Sequence, residues 1–258
     1  MKQSIKKPLI LNNEVLKRLI KIIDTEFDNV KLDLWMSNEY KLSEEYGKNL
    51  NFSASTLEKL MEIVNIEQVI KENKFEKWFS YKYEIKEEEE NFLKELIKEN
   101  IIYLSSFNEQ TLITKFIAPV LNKIKFRNKN VKDWYEYGIS CKLNNWTLNG
   151  HPDFFIATGI NQPKIPYFFL QEYKKGVNPK SNLEYQVLAA MLATIELNNS
   201  NTIKGGYIIG QYWKFMILDK LENGNYEYFV SKGFDCLDFG ELKKIYIYLQ
   251  AVKHLYCK

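Results

Sequence analysis

PYFFLQEY, Pro166–Tyr173, is the stretch on which the reading of this chain turns. Both of its alternating residue sets are apolar until Gln171 and Glu172, as in a strand covered on both faces. Glu172 and Lys174 lie two residues apart, so on a strand their side chains leave one face while Tyr173 points to the other. Upstream, Trp134–Lys142 and Trp146–Ala157 are rich in aromatic and β-branched residues, and Asn144-Asn145 between them suits a tight turn, which predicts a hairpin. Asp153 follows Pro152 in the second arm of that hairpin. If this arm pairs with the Phe168–Lys174 strand, its carboxylate can approach Glu172. Two close carboxylates repel unless a cation joins them. Oxygen ligands with no histidine or thiolate beside them suit magnesium or manganese, which keep several waters and accept a substrate phosphate. A lysine then completes a hydrolytic site by orienting or helping to deprotonate water and by offsetting charge on the phosphoryl group.

Outward from this centre the periodicity changes. Downstream, NLEYQVLAAMLATIEL predicts a helix whose Ala189, Ala190 and Ala193 allow close packing on a sheet. A strand at Gly206–Gln211 follows, then a hairpin of Lys214–Asp219 and Tyr226–Val230 turning at Asn223-Gly224, then an amphipathic helix over Leu242–Leu255. Upstream, Glu109 opens a helical pattern carrying Leu112, Ile113, Phe116, Ile117, Val120, Leu121 and Ile124, with Pro119 expected to kink it. Nearer the amino end, helical spacing recurs at Asn13–Ile23, Ser55–Ile70 and Ile85–Asn100, while Asp28–Asn51 has no clear period. Glu87–Glu90 open the last of these helices, where carboxylates favour the dipole. A metal-binding acidic loop is the sharper reading of that run and a solvated helix start the plainer, preferred one. The expected architecture is α/β: a mainly helical region over 1–104, then a domain over 105–258 with a mixed central sheet flanked by helices.

NGHPDFFIATG followed by YFFLQEYKKG resembles the paired motifs of the PD-(D/E)XK nuclease superfamily, here Pro152-Asp153 and Glu172-Tyr173-Lys174. The resemblance spans roughly Asn108–Val230 and implies a restriction-endonuclease-like core of helix, three strands, helix and strand. It implies a phosphodiesterase using Mg2+ or Mn2+, with Asp153 and Glu172 on the metal and Lys174 beside the water. Members often carry an acidic residue on the first core helix, for which Glu109 is the candidate ligand; a local helix-capping role is the equal alternative. Some carry a glutamine on the second helix, and Gln186 is the candidate there, against a plain surface glutamine. The settings implied are restriction, repair or defence.

Between Glu109 and Asp133 every charged side chain is positive: Lys115, Lys123, Lys125, Arg127, Lys129 and Lys132, with Lys175 and Lys180 further on. Such a ridge fits a nucleic-acid backbone, DNA ahead of RNA, and it equally fits a solvated lysine-rich loop. The net charge of +3 permits a polyanionic partner without demanding one. Three scattered cysteines make no disulfide framework and no zinc pair, and the reading is of a cytoplasmic protein. MKQSIKKPLILNNEV holds too short an apolar run for a signal peptide or membrane span. Two histidines, His151 and His254, with no serine-hydrolase elbow or zinc spacing beside them, and no phosphate-binding glycine loop argue against histidine hydrolases and NTPases. Two further readings stay open. One is a silent nuclease fold that binds nucleic acid or a protein; the other gives the main role to the amino-terminal part, with its aromatic stretch Trp35–Phe52. Pairing of two subunits as a homodimer is also open.

Overall fold

The computed structural model describes residues 47–71, 73–176 and 182–257. The helix expected at Asn13–Ile23, most of Asp28–Asn51, and Lys180 lie outside these residues. Residues Asn49–Lys258 form one compact unit. The boundary expected at 104/105 falls inside it, because Trp78, Leu93 and Leu104 share a buried cluster with Phe154 and Phe169.

The chain is mixed α/β. Its main sheet has eight strands among the described residues: β2 (Ile66–Gln68), β3 (Val131–Trp134), β6 (Phe154–Thr158), β7 (Lys164–Lys174), β8 (Thr202–Ile209), β9 (Tyr212–Lys220), β10 (Tyr226–Val230) and β11 (Phe234–Asp235). Their order is β2-β10-β9-β8-β7-β6-β3, with β11 on β9. β7 and β8 run parallel, as do β10 and β2, and the other neighbours run antiparallel. A second, three-stranded sheet has the order β1 (Lys48–Asn51), β5 (Trp146–Gly150), β4 (Ile139–Leu143).

β7 is a central strand, and its alternation sorts the core into two layers. Phe169 and Tyr173 join Phe154 and Ile156 of β6 beneath the helices α3 (Glu87–Asn100), α5 (Ala118–Ile124) and α7 (Phe239–Tyr256). Leu170 joins Phe155 and Ala157 beneath α6 (Leu183–Leu197). The small sheet covers the far side of α6, so the middle of this helix, from Val187 to Ile195, is sandwiched and buried all round, as its nearly unbroken apolar sequence requires. Gly205 of β8 makes room for α6: a Cβ there would stand 2.7 Å from Met191 Sδ.

Three expectations change. Ser55–Ile70 is not one helix: α1 (Leu57–Ile63), capped by Thr56, stops at the extended Val64, and Ile66–Gln68 becomes β2 because β10 offers it a backbone partner. Trp134–Ala157 is not one hairpin. Only β4 and β5 form it, turning at left-handed Asn144 (φ +52°), while β3 and β6 pair with each other in the main sheet. The break at His151–Asp153 is where the chain passes from one sheet to the other. The helix opening at Glu109 runs as α4 (Glu109–Leu112), a π turn (Ile113–Ile117) and then α5. Pro119 has no N–H for the carbonyl of Lys115, and the wider turn before it accommodates that loss.

Three of the four glutamates that open α3 hold structure. Glu88 pairs with Lys123 at 2.5 Å, and Glu90 with Lys94 and Lys243. Glu89 is buried and accepts from Lys86 N (2.9 Å), Tyr83 Oη (2.8 Å) and Tyr246 Oη (2.7 Å). Burial opposes its charge, but those hydrogen bonds outweigh it and hold the carboxyl below the usual range. α2 (Glu76–Phe79) adds Trp78, whose Nε1 donates to Tyr248 O. Among the described residues no helix is long and apolar enough to cross a membrane.

Glu89→Ala strands the buried Tyr246 hydroxyl together with Lys86 N. A loss of about 2–4 kcal/mol in denaturant unfolding is expected, with a smaller one for Tyr83→Phe.

Candidate active site

The register of β6 on β7 assembles the site. Phe154 pairs with Gln171, so Asp153, one residue earlier, stands opposite Glu172. The Asp153 carboxylate caps the end of the neighbouring strand, accepting from Tyr173 N at 2.7 Å through Oδ2. Glu172 is 1% exposed and faces α6. Gln186, on the first turns of that helix, donates through Nε2 to Glu172 Oε2 at 2.7 Å. The other oxygen, Oε1, is buried and without a hydrogen-bond partner.

Neighbouring contacts tie α6 to the sheet at this level. Tyr207 of β8 lies beside Glu172 in the ladder, and its hydroxyl donates to Glu184 Oε2 at 2.7 Å. Asn182 caps the helix by accepting from Glu184 N. The amino-terminal end of α6 is therefore held by two side-chain hydrogen bonds, one of which orients a candidate ligand. Tyr207 and Glu184 carry no signal in the sequence, because their pairing depends on how the helix lies on the strand. On the other side, Gly150 ends β5 without a side chain, and a Cβ there would fall 2.4 Å from the Phe52 ring. That close approach seats the small sheet just before His151-Pro152-Asp153. Glu136 N, at a left-handed residue of the β3–β4 loop, donates to Pro152 O at 3.1 Å and fixes the same segment from outside.

Electrostatically the pair is under stress. Burial first, and then the Asp153 charge, push Glu172 well above the usual carboxylate range. Burial also raises Asp153, against the Tyr173 hydrogen bond, a carboxyl–carboxyl hydrogen bond with Glu172 when one of the two is protonated, and the Lys174 charge. A cation between them relieves both terms. The orphaned Glu172 Oε1 and the facing Asp153 fit a hard divalent ion, with Gln186 fixing the other oxygen of Glu172. Two carboxylates from the protein suffice for magnesium, which takes its remaining ligands from water and phosphate.

Glu109 opens α4 beside the cap Asn108, with its side chain 43% exposed. Its Oε2 lies 3.5 Å from Lys174 Nζ and its charge acts on Asp153, so it stands at the edge of the site, paired with the lysine. Among the described residues no three histidine, cysteine or acidic side chains are grouped to hold a metal.

The basic residues divide. Arg127 is held by Asp133 through Nε (2.8 Å) and Nη2 (3.4 Å), Lys123 by Glu88, and Lys132 lies 4.0 Å over the Trp134 ring. These three hold structure. Lys115, Lys125, Lys129 and Lys175 are exposed and form no ion pair among the described residues. Lys175 directly follows the site. His151 is exposed between the two sheets and lies beside Gly138.

In chelator, the raised carboxyls bind more protons in the folded than in the unfolded chain between about pH 4 and their folded values, so they weaken the fold as pH rises through that window. Glu172→Gln removes that effect. Its thermal midpoint at neutral pH is expected roughly 2–4 °C above wild type, the shift that about 1 kcal/mol gives a chain of this size. Added magnesium should stabilise wild type and leave the variant unchanged.

Neither the protein-family models nor the curated proteins compared with this chain give a match.

Proposed function

We propose that this protein is a metal-dependent nuclease of the PD-(D/E)XK type, hydrolysing phosphodiester bonds with magnesium or manganese. The observation that carries this reading is the buried Glu172, with an orphaned oxygen, facing the half-buried Asp153 and flanked by a lysine on the same face of the strand. The order of elements supports it: a helix from Glu109 to Ile124, the antiparallel strands β3, β6 and β7, the helix α6, and β8 parallel to β7. A restriction-endonuclease-like core has that order.

A bound divalent cation supplies Lewis-acid polarisation of a phosphoryl oxygen. The chain's own residues do the rest. Asp153 and Glu172 present oxygen ligands whose directions are set by Tyr173 N and by Gln186 Nε2. Lys174 is about one-third exposed, so its ammonium can reach a phosphate or the attacking water while Glu109 limits its rotamers. Charge developing on the phosphate oxygens is offset there by a donor already in position. The exposed Lys115, Lys125, Lys129 and Lys175 supply sequence-independent backbone contacts, with binding that weakens as salt rises.

The test is cleavage of linear, circular, single-stranded and duplex DNA and RNA with magnesium, manganese or chelator. Asp153→Ala and Lys174→Ala should each lower the rate by about 100-fold or more. Gln186→Ala should lower metal affinity or rate by roughly 10–100-fold. Cutting that survives in chelator, or that persists in both Asp153→Ala and Lys174→Ala, sinks the assignment and favours a silent binding module.

A further inference from the structure

A second concave feature lies away from the carboxylates, at the other end of β6. The β6–β7 loop closes a cleft of about 540 Å³ with the flanks of the edge strand β3, and its lining includes Asn130, Tyr137, Asn161, Gln162, Lys164 and Ile165. That volume lies within the roughly 300–1,000 Å³ of small-molecule sites. The wall is preformed. Gly159 adopts φ +104°, where a Cβ would fall 2.2 Å from Gln162 O, so glycine is required for the loop to turn back on itself. Gly159 N donates to Asn130 O at 3.0 Å, and Thr158 Oγ1 lies within 2.8 Å of Lys164 O and 3.0 Å of Ile165 O.

The lining has a particular chemistry. Tyr137 is 42% exposed, and its ring is steadied by a T-shaped contact with Trp134 at 5.7 Å. Ile160 and Ile165 are 69% and 52% exposed, so apolar surface faces the same space. The amide groups of Asn130, Asn161 and Gln162 have no hydrogen-bond partner among the described residues. An aromatic ring, apolar edges and three idle amides, each offering donors and an acceptor, match a flat heterocycle with its own donors and acceptors. The exposed Lys164 adds a cation for a phosphate.

We propose that this cleft holds an unpaired nucleobase of the strand whose phosphate reaches Asp153 and Glu172. The proposal rests on the nucleic-acid reading of that site and narrows its substrate: the strand is single, or opened, at this position. A base inside a duplex has its pairing edge occupied and its faces stacked, and it meets neither the amides nor Tyr137. The spacing fits one strand bridging both sites. Thr158 follows Asp153 by five residues, roughly 17 Å along an extended strand, a gap that a few nucleotides of a single strand cross.

The experiment is fluorescence anisotropy in chelator, where nothing is cut. It uses DNA and RNA oligonucleotides of about 12 residues, within the range of single-strand site sizes, intact, abasic at successive single positions, or annealed to a complement. Wild type should bind the intact single strand more tightly than the duplex. One abasic position should cost on the order of tenfold, the scale of base–aromatic stacking. Tyr137→Ala should lose the same factor and become indifferent to that abasic position, while Tyr137→Phe retains wild-type affinity. Asn161→Ala combined with Gln162→Ala should weaken binding without moving the thermal midpoint. Equal binding of intact and abasic strands, a preference for duplex, or wild-type affinity in Tyr137→Ala overturns the cleft. Magnesium is then added to the same mixtures. Cleavage without base dependence leaves the nuclease standing and removes the cleft. Base-dependent binding without cleavage keeps the cleft and removes the nuclease. No binding at all removes both.

Discussion

Glu172 is an acid on a central strand, 1% exposed, opposite a second acid. Burial disfavours the charge of both, and the Asp153 charge further disfavours that of Glu172. The hydrogen bonds from Tyr173 N and Gln186 Nε2 offset part of this, and the surrounding structure over-determines the rest. The strand carrying Glu172 is locked between β6 and β8, with Leu170 and Phe169 fully buried on its two faces. To move the carboxylate into water would mean withdrawing those apolar side chains from the core. Local strain of this kind is characteristic of sites that await a ligand, and a divalent cation is the ligand that relieves it most directly.

The layers around the pair serve it in distinct ways. The middle of α6 is buried on every side because it lies between two sheets, and polar contacts sit at its ends: Gln186 to Glu172 and Tyr207 to Glu184 at one, Lys220 and Tyr226 to Glu196 at the other. The small sheet packs through Phe52 on Gly150, immediately ahead of the segment that delivers Asp153. α4, with its exposed Glu109, meets Lys174 at the strand end. The helices on the opposite face act at a distance. Glu89, Tyr83 and Tyr246 join α3 to α7 by buried hydrogen bonds and keep the second core layer closed beneath β6 and β7.

Much of the site was legible before the fold was. Glu172 and Lys174 share a face by strand alternation alone, and Asp153 after Pro152 breaks an otherwise apolar run. Gln186 was a candidate only through a resemblance, since a glutamine on a helix has no local signature of the residue it will meet. Glu109 was visible as the acid that opens a helical pattern, but its partner was not: Lys174 is 65 residues away in the chain, and only packing brings the two together. The basic run shows the same limit. Six like charges in sequence suggest one surface, yet Asp133, Glu88 and Trp134 take up three of them once the chain is folded.

The amino-acid sequence by itself determined the elements whose causes are local: the doubly apolar β7, the alanine-rich, largely apolar α6, the Asn223-Gly224 hairpin and the acidic start of α3. Each follows from side-chain period, turn chemistry or the helix dipole, which act over a few residues. Only the tertiary structure decided that Ile66–Gln68 is a strand, that Trp134–Ala157 divides between two sheets, and that Glu109 holds a lysine. Those outcomes depend on partners brought from far along the chain, where backbone hydrogen bonds and burial outweigh local preference.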